Sequence, residues 1–238
     1  MNGMYVLKVL LALALLNAAL SLRNWWPTPG VLPDHRLSPE FVAIWWLVLG
    51  AVAWRGQLPA RVLTGLSLVF MLLLLGRYAN VTVPTLFGRP VNLYWDGQQI
   101  PRFLWVSARD HPWWVSAMSL AGMVLLLLGL FLLVRWALTR MAHDAAPFAL
   151  HKRWTWIPSG LASLAVVAHL GGWAPGLTWH LVSDPITPTY ARQASLLATA
   201  FLPGRVESTL PEAKVLENAF LVQPPAVVAA AKELCSRG

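Results

Sequence analysis

Apolar residues along this chain fall in long runs bounded by polar or aromatic residues. A helix that crosses a bilayer needs about 20 mostly apolar residues. Five runs predict such spans, near residues 4–22, 39–54, 59–76, 113–138 and 156–173. The first contains YVLKVLLALALLNAALSL. The second, FVAIWWLVLGAVAW, is short and is extended at the interface by residues 37–40. The third ends in MLLLLG, and the fourth, with MVLLLLGLFLLV, is the strongest. The fifth is weaker and carries Ser159, Gly160, Ala162 and Ser163 on one side. Small residues let neighbouring backbones approach, so this helix is expected to pack against others. The predicted fold is all-α: a polytopic membrane helix bundle of about five transmembrane helices over residues 1–203, followed by a short extracytoplasmic helical tail at 204–238.

Between the third and fourth runs lies an outer loop, residues 77–112, reading RYANVTVPTLFGRPVNLYWDGQQIPRFLWVSARDHP. Its prolines and glycines predict that no long helix forms there. PRFLWVS within it fits a short interfacial helix, with Phe103, Leu104 and Trp105 in the headgroup layer. After Trp173, GLTWHLVSDPITPTYARQ is rich in Pro and Thr and reads as an extended segment at the membrane surface. Residues 194–202 predict a short apolar helix. Further helices are expected at 211–222, with Pro211 at the start, and at 226–234. The tail is too short for an independent domain with its own core.

Composition narrows the class. The chain is 57% hydrophobic and 12% charged, against roughly 25% charged in ordinary soluble domains. The single cysteine, Cys235, excludes a disulfide scaffold, and the apolar content excludes disorder. The net charge of +8 does not form a nucleic-acid face; the basic residues sit singly at the ends of apolar runs. The short links carry Arg55 and Arg61, then Arg135, Arg140, Lys152 and Arg153. The longer links contain Asp34, Glu40, Asp96 and Asp110. Positive charge in the short links predicts a multi-pass membrane protein with its N-terminus on the inner, cytoplasmic side and the chain after Trp173 on the outer side. Lys8 and the small residues at 17–21 also fit a signal peptide, but no A-x-A site follows, and a retained helix is expected. Lys8 then snorkels to the inner headgroups. The tryptophans at 25, 26, 45, 46, 54, 113, 114, 136, 154, 156 and 173 are expected to form an aromatic belt.

Enzyme templates are missing: the sequence has no G-x-S-x-G, H-E-x-x-H, C-x-x-C or Walker A run. Asp96 and Asp110 read as solvated loop carboxylates. Haem held between helices needs His on two spans; only His169 lies in one, while His111 and His180 share the outer side. No catalytic residue, metal ligand or cofactor is assigned. The outer loop offers more. Arg77, Arg89 and Arg102 lie there with Asn92, Tyr94 and Asp96. Arg presents a planar fork of donors that matches a phosphate. These six residues are candidates for binding an anionic lipid headgroup, the alternative being a loop tied internally by Arg–Asp96 and Arg–carbonyl bonds.

RYANVTVPTLFGRPVNLYWD resembles the stretch between membrane spans in bacterial membrane-anchored sulfatase-like proteins, the group containing lipoteichoic acid synthases and related phosphoglycerol or phosphoethanolamine transferases. DPITPTYARQ, residues 184–193, resembles the exit from the membrane part of such proteins. The resemblance covers residues 77–203. It implies a helical membrane domain that holds an alkaline-phosphatase-superfamily catalytic domain at the bilayer. After Pro203 the sequence has no histidine and no Cys-x-Pro-x-Arg, so no catalytic residue carries over. The expected role is a non-catalytic inner-membrane domain that anchors and positions a sulfatase-like or phosphoglycerol-transferase-like activity. Its expected partners are membrane lipids and a separate catalytic subunit, not nucleic acid. The alternative is a small transporter or channel subunit, which would need ionisable residues at mid-membrane; the runs carry almost none.

Overall fold

Helices coincide with all five apolar runs. The computed structural model describes residues 3–25, 28–150, 156–173 and 175–201. The helices expected at 211–222 and 226–234, and Cys235, lie outside the described residues. In chain order the elements are α1 (Gly3–Leu20), β1 (Leu22–Asn24), β2 (Val31–Pro33), α2 (Pro39–Arg55), α3 (Ala60–Phe87), α4 (Leu93–Arg109), α5 (Trp113–Leu150), α6 (Trp156–Leu170), α7 (Pro175–Leu181) and α8 (Thr187–Phe201). The chain divides into two units, Met1–Arg192 and Gln193–Gly238. The second unit contributes the end of α8, where the Thr199 hydroxyl donates to the Leu196 carbonyl at 2.9 Å.

The first unit is built around the C-terminal half of α5, which lies against α1, α2 and α3. Val134, Ala137, Leu138 and Met141 are buried at i, i+3, i+4 and i+7, a single helical stripe. Facing it are Leu16 and Leu20 of α1, Val48 and Val52 of α2, and Phe70 of α3, all buried. Each such side chain contributes roughly 1.5–3 kcal/mol when taken from water. In the other half of α5 no such stripe exists. Met118, Leu120, Met123, Val124, Leu125, Leu126 and Leu128 are each half or more exposed. Across the apolar part of this helix only 6% of residues are buried. By length and composition two helices suffice to cross a membrane, Ala60–Phe87 and Trp113–His143. Leu7–Leu20 and Ser159–Leu170 are shorter apolar stretches.

The helices differ in length. At about 1.5 Å per residue, the 17 residues of α2 rise about 25 Å, the 15 of α6 about 22 Å and the 28 of α3 about 42 Å. The sequence predicts an end to the third run at residue 76, but α3 continues eleven residues further, to Phe87. Pro84 is tolerated because it removes only one bond close to the helix end. Gly88, at φ 66°, then closes the helix by donating its N–H to the Pro84 carbonyl. The expected loop at 77–112 is thus mostly helical, and the short interfacial helix grows into α4.

Two further departures lie where α1 ends and α2 begins. β1 and β2 pair as an antiparallel hairpin, with Leu22 opposite Pro33 and Asn24 opposite Val31. The segment expected to be extended after Trp173 is instead α7, one parallel bridge and the start of α8; the bridge joins Val182 to Leu37. The Tyr190 ring also crosses α3 at Gly76, where a Cβ would collide with it, and its hydroxyl donates to the Leu72 carbonyl.

Trp45 and Trp46 depart from the expected belt. Trp45 Nε1 donates to Ser159 Oγ at 2.8 Å, and Trp46 Nε1 donates to Ser163 Oγ at 2.6 Å. Ser163 Oγ in turn donates to the Ser159 carbonyl. These indoles join α2 to α6 inside the protein. The small side chains of α6 leave room for them.

Candidate functional site

A polar knot ties the C-terminal end of α1, the N-terminal end of α2 and Arg77 within α3 to the segment entering α8. Its centre is Glu40, in the first turn of α2. Ser38 starts that helix in an extended conformation, and Pro39 supplies a ready-made helical φ. The Ser38 hydroxyl accepts from the Phe41 N–H and donates to Glu40 Oε2 at 3.0 Å. Glu40 Oε1 accepts from the Ile186 N–H at 2.6 Å, and from the Thr187 N–H and Thr187 hydroxyl, each at 3.1 Å. The carboxylate is 8% exposed. It satisfies the free donors at the start of α8 and places negative charge where that helix carries its positive partial charge.

Asn17 of α1 holds the neighbouring turn. Its Nδ2 donates to the Arg36 carbonyl and its Oδ1 accepts from the Ser38 N–H, both at 2.9 Å. Ser21 adds a bond from its hydroxyl to the Asp34 carbonyl at 2.9 Å. Asp34 pairs with Arg36 Nε at 2.6 Å and lies 3.1 Å from His35 Nδ1. Burial would raise the Asp34 carboxyl, but the hydrogen bond and charge of Arg36, with help from His35, outweigh it. The group is held below the ordinary aspartate range.

The six headgroup candidates do not form one site. Arg77 belongs to the knot. It is 4% exposed, and it donates to the Asp184 carbonyl at 2.8 Å through Nη1 and to the Leu22 carbonyl at 3.3 Å through Nε. It therefore clamps the hairpin and the 184 segment and is withdrawn from the surface. Arg89, Asn92 and Asp96 cluster at the start of α4, about 15 Å further along the chain's helical path than Arg77 by the rise of α3. Arg89 pairs with Asp96 through both oxygens, at 2.5 and 3.3 Å. The Asn92 side chain accepts from the Trp95 N–H, and the Asp96 carboxylate accepts from the Asn92 N–H at 2.9 Å. The Arg89 hydrogen bond holds the Asp96 carboxyl below its usual range, and the same pairing raises Arg89. This reciprocal pattern is a helix cap, not an empty anion cradle. Tyr94 packs edge-on to Trp95 with ring centres 5.1 Å apart.

Arg102 alone stays exposed without an ion-pair partner among the described residues. It lies on the polar side of α4. By helical periodicity Leu93, Ile100 and Leu104 share one face, while Gln98, Arg102 and Arg109 fall opposite. No residue of α4 is buried. Phe103, Trp105 and Ile100 are all more than half exposed, and the Arg109 guanidinium sits 5.4 Å from the Trp105 ring centre.

The described histidines enter no cluster of three or more metal-ligating side chains. His111 is exposed and its Nδ1 lies 3.0 Å from the Ser107 carbonyl. His180 is exposed, and the Nδ1 of His169 is buried without a hydrogen-bond partner. Among the described residues no three metal-ligating side chains come together. The two hydroxyls that reach the Glu40 carboxylate, from Ser38 and Thr187, belong to the knot itself, and with the Ile186 and Thr187 N–H groups they fix the carboxylate between α2 and the start of α8. Asn17 and Glu40 escaped the sequence-based candidate set. The one signal for Asn17 is its place as a lone amide inside an apolar run. Comparison with protein-family models, with curated proteins and with solved structures found no match.

Proposed function

We propose that the chain is a non-catalytic, multi-pass protein of the bacterial inner membrane, crossing five times through α1, α2, α3, α5 and α6, with a cytoplasmic N-terminus. The observation that carries this reading is the bare apolar half of α5. A helix apolar on every side needs a greasy surrounding, and 6% burial means the protein does not supply one. Supporting it, Arg55, Arg61, Arg135 and Arg140 all lie at the end of the bundle away from the knot, as cytoplasmic charges would. The α4 helix fits a position flat in the outer interface, its Leu93–Ile100–Leu104 face toward the acyl chains and Arg102 toward phosphates.

In this reading the knot is a rigid outer platform, and the chain anchors and positions a sulfatase-like catalytic subunit against lipid headgroups. Reporter fusions test the topology. Alkaline phosphatase fused after Phe201 is active and a cytosolic reporter there is silent; the reverse overturns it. Affinity purification from gently solubilised membranes tests the partner. Recovery of a phosphatase-superfamily protein in stoichiometric amount is expected, and its consistent absence rejects the anchoring role.

A further inference from the structure

A cleft of about 470 Å³ opens beside the C-terminal half of α5. Leu132, Arg135, Trp136, Thr139, Arg140 and His143 line it. These positions follow helical spacing, on the face turned away from the buried stripe of Val134, Ala137, Leu138 and Met141. The cleft begins where the apolar run ends. Arg135 is braced by one bond, Nη1 to Thr64 Oγ1 at 2.6 Å, which leaves its remaining donors for a ligand. Arg140 is half-buried and makes no hydrogen bond or ion pair among the described residues. No carboxylate is among the described residues lining the cleft. A smaller cavity of about 80 Å³ adjoins it through His143 and reaches Gly56 and Gln57, in the turn after α2.

We propose that this cleft binds the phosphate of an anionic phospholipid headgroup in the cytoplasmic leaflet; the proposal rests on the membrane-spanning reading above. Two guanidinium groups five residues apart on α5 line the cleft and offer planar forks of donors to a phosphodiester. The Trp136 ring offers an apolar body beside the glycerol, at the depth where indoles settle. The outward direction of the cleft selects a lipid over a free anion. Leu132 is more than half exposed and continues into the bare surface of α5, so acyl chains have apolar contact next to the charged pocket.

The test titrates the full chain, purified in detergent, with dioctanoyl phosphatidylglycerol, dioctanoyl phosphatidylcholine and inorganic phosphate, reading bound species by native mass spectrometry. Phosphatidylglycerol is expected to bind about tenfold more tightly than either of the others, since one well-made bond to a charged group is of that order. Arg140→Gln is expected to lower its affinity about tenfold, Arg140→Lys to lower it less, and Arg23→Gln, at the opposite end, to leave it unchanged. Equal binding of the two lipids, or full affinity in Arg140→Gln, overturns the site. Inorganic phosphate binding as tightly as the anionic lipid overturns the lipid source. Alkaline carbonate extraction separates the two levels: release of the chain from membranes refutes the spanning reading, whereas retention with unselective lipid binding refutes the cleft alone.

Discussion

Glu40 shows how much one buried carboxylate can hold. Four donors from Ser38, Ile186 and Thr187 converge on it. Replacing it by Ala leaves two backbone N–H groups buried without an acceptor, which costs about 1–3 kcal/mol each when charge assistance is included. Glu40→Ala is expected to lower the unfolding midpoint in mild detergent markedly, while Glu40→Gln, which keeps an acceptor oxygen, loses less; equal losses would contradict the role given to the acceptor. Asp34 adds a pH dependence. Its folded pKa lies below the unfolded value, so its contribution is present above the ordinary aspartate pKa of about 4 and fades as pH falls through the folded one. Wild type is therefore expected to outlast Asp34→Asn at neutral pH, with the gap closing on acidification below about pH 4. A gap that stays constant across that range would show that the charge is not involved.

At the scale of elements, the α2–α6 contact rests on paired indole–hydroxyl bonds. Trp46→Phe removes the indole bond, and Ser163→Ala removes that bond together with the one to the Ser159 carbonyl; through the shared bond the two are expected to couple by about 1 kcal/mol in a double-mutant cycle, read from unfolding in detergent. Additive losses would mean that the Trp46–Ser163 bond contributes nothing of its own. The apolar runs made the positions of α1, α2, α5 and α6 legible, because a long hydrophobic stretch has few other uses. The small side chains of α6 also signalled close packing. What they would receive was hidden, since Trp45 and Ser159 are 114 residues apart. The same holds for Arg77, whose acceptor at Asp184 is 107 residues away. Arg77 reads in sequence as a surface cation at the end of a run. It became a clamp only because α3 continues past it and the hairpin and 184 segment close over it. Arg89 and Asp96, seven residues apart, make the Arg–Asp96 tie that the sequence offered as the alternative to a headgroup site, although the helix it caps, α4, was not expected at that length.

At the scale of the molecule, packing and exposure divide along α5. Its C-terminal half completes the protein core and its N-terminal half faces outward. On the proposed membrane-spanning reading the chain is held by the surrounding lipid as well as by its own contacts, and that lipid is part of the structure's energetics. On the same reading the heights of its helices acquire a meaning. The α2–α6 side is about 22–25 Å tall and the apolar part of α3, residues 60–76, rises about 25 Å, both below the roughly 30 Å of a typical hydrocarbon layer. A bilayer of ordinary thickness would then have to thin around this side of the protein. Reconstituted into vesicles of graded acyl-chain length, the protein is expected to be most heat-resistant in short-chain lipid, and indifference to chain length would argue against the mismatch. In that reading the protein is a dimple-maker in a mixed membrane, gathering pliant lipids around itself and carrying its own patch of thin membrane wherever it goes.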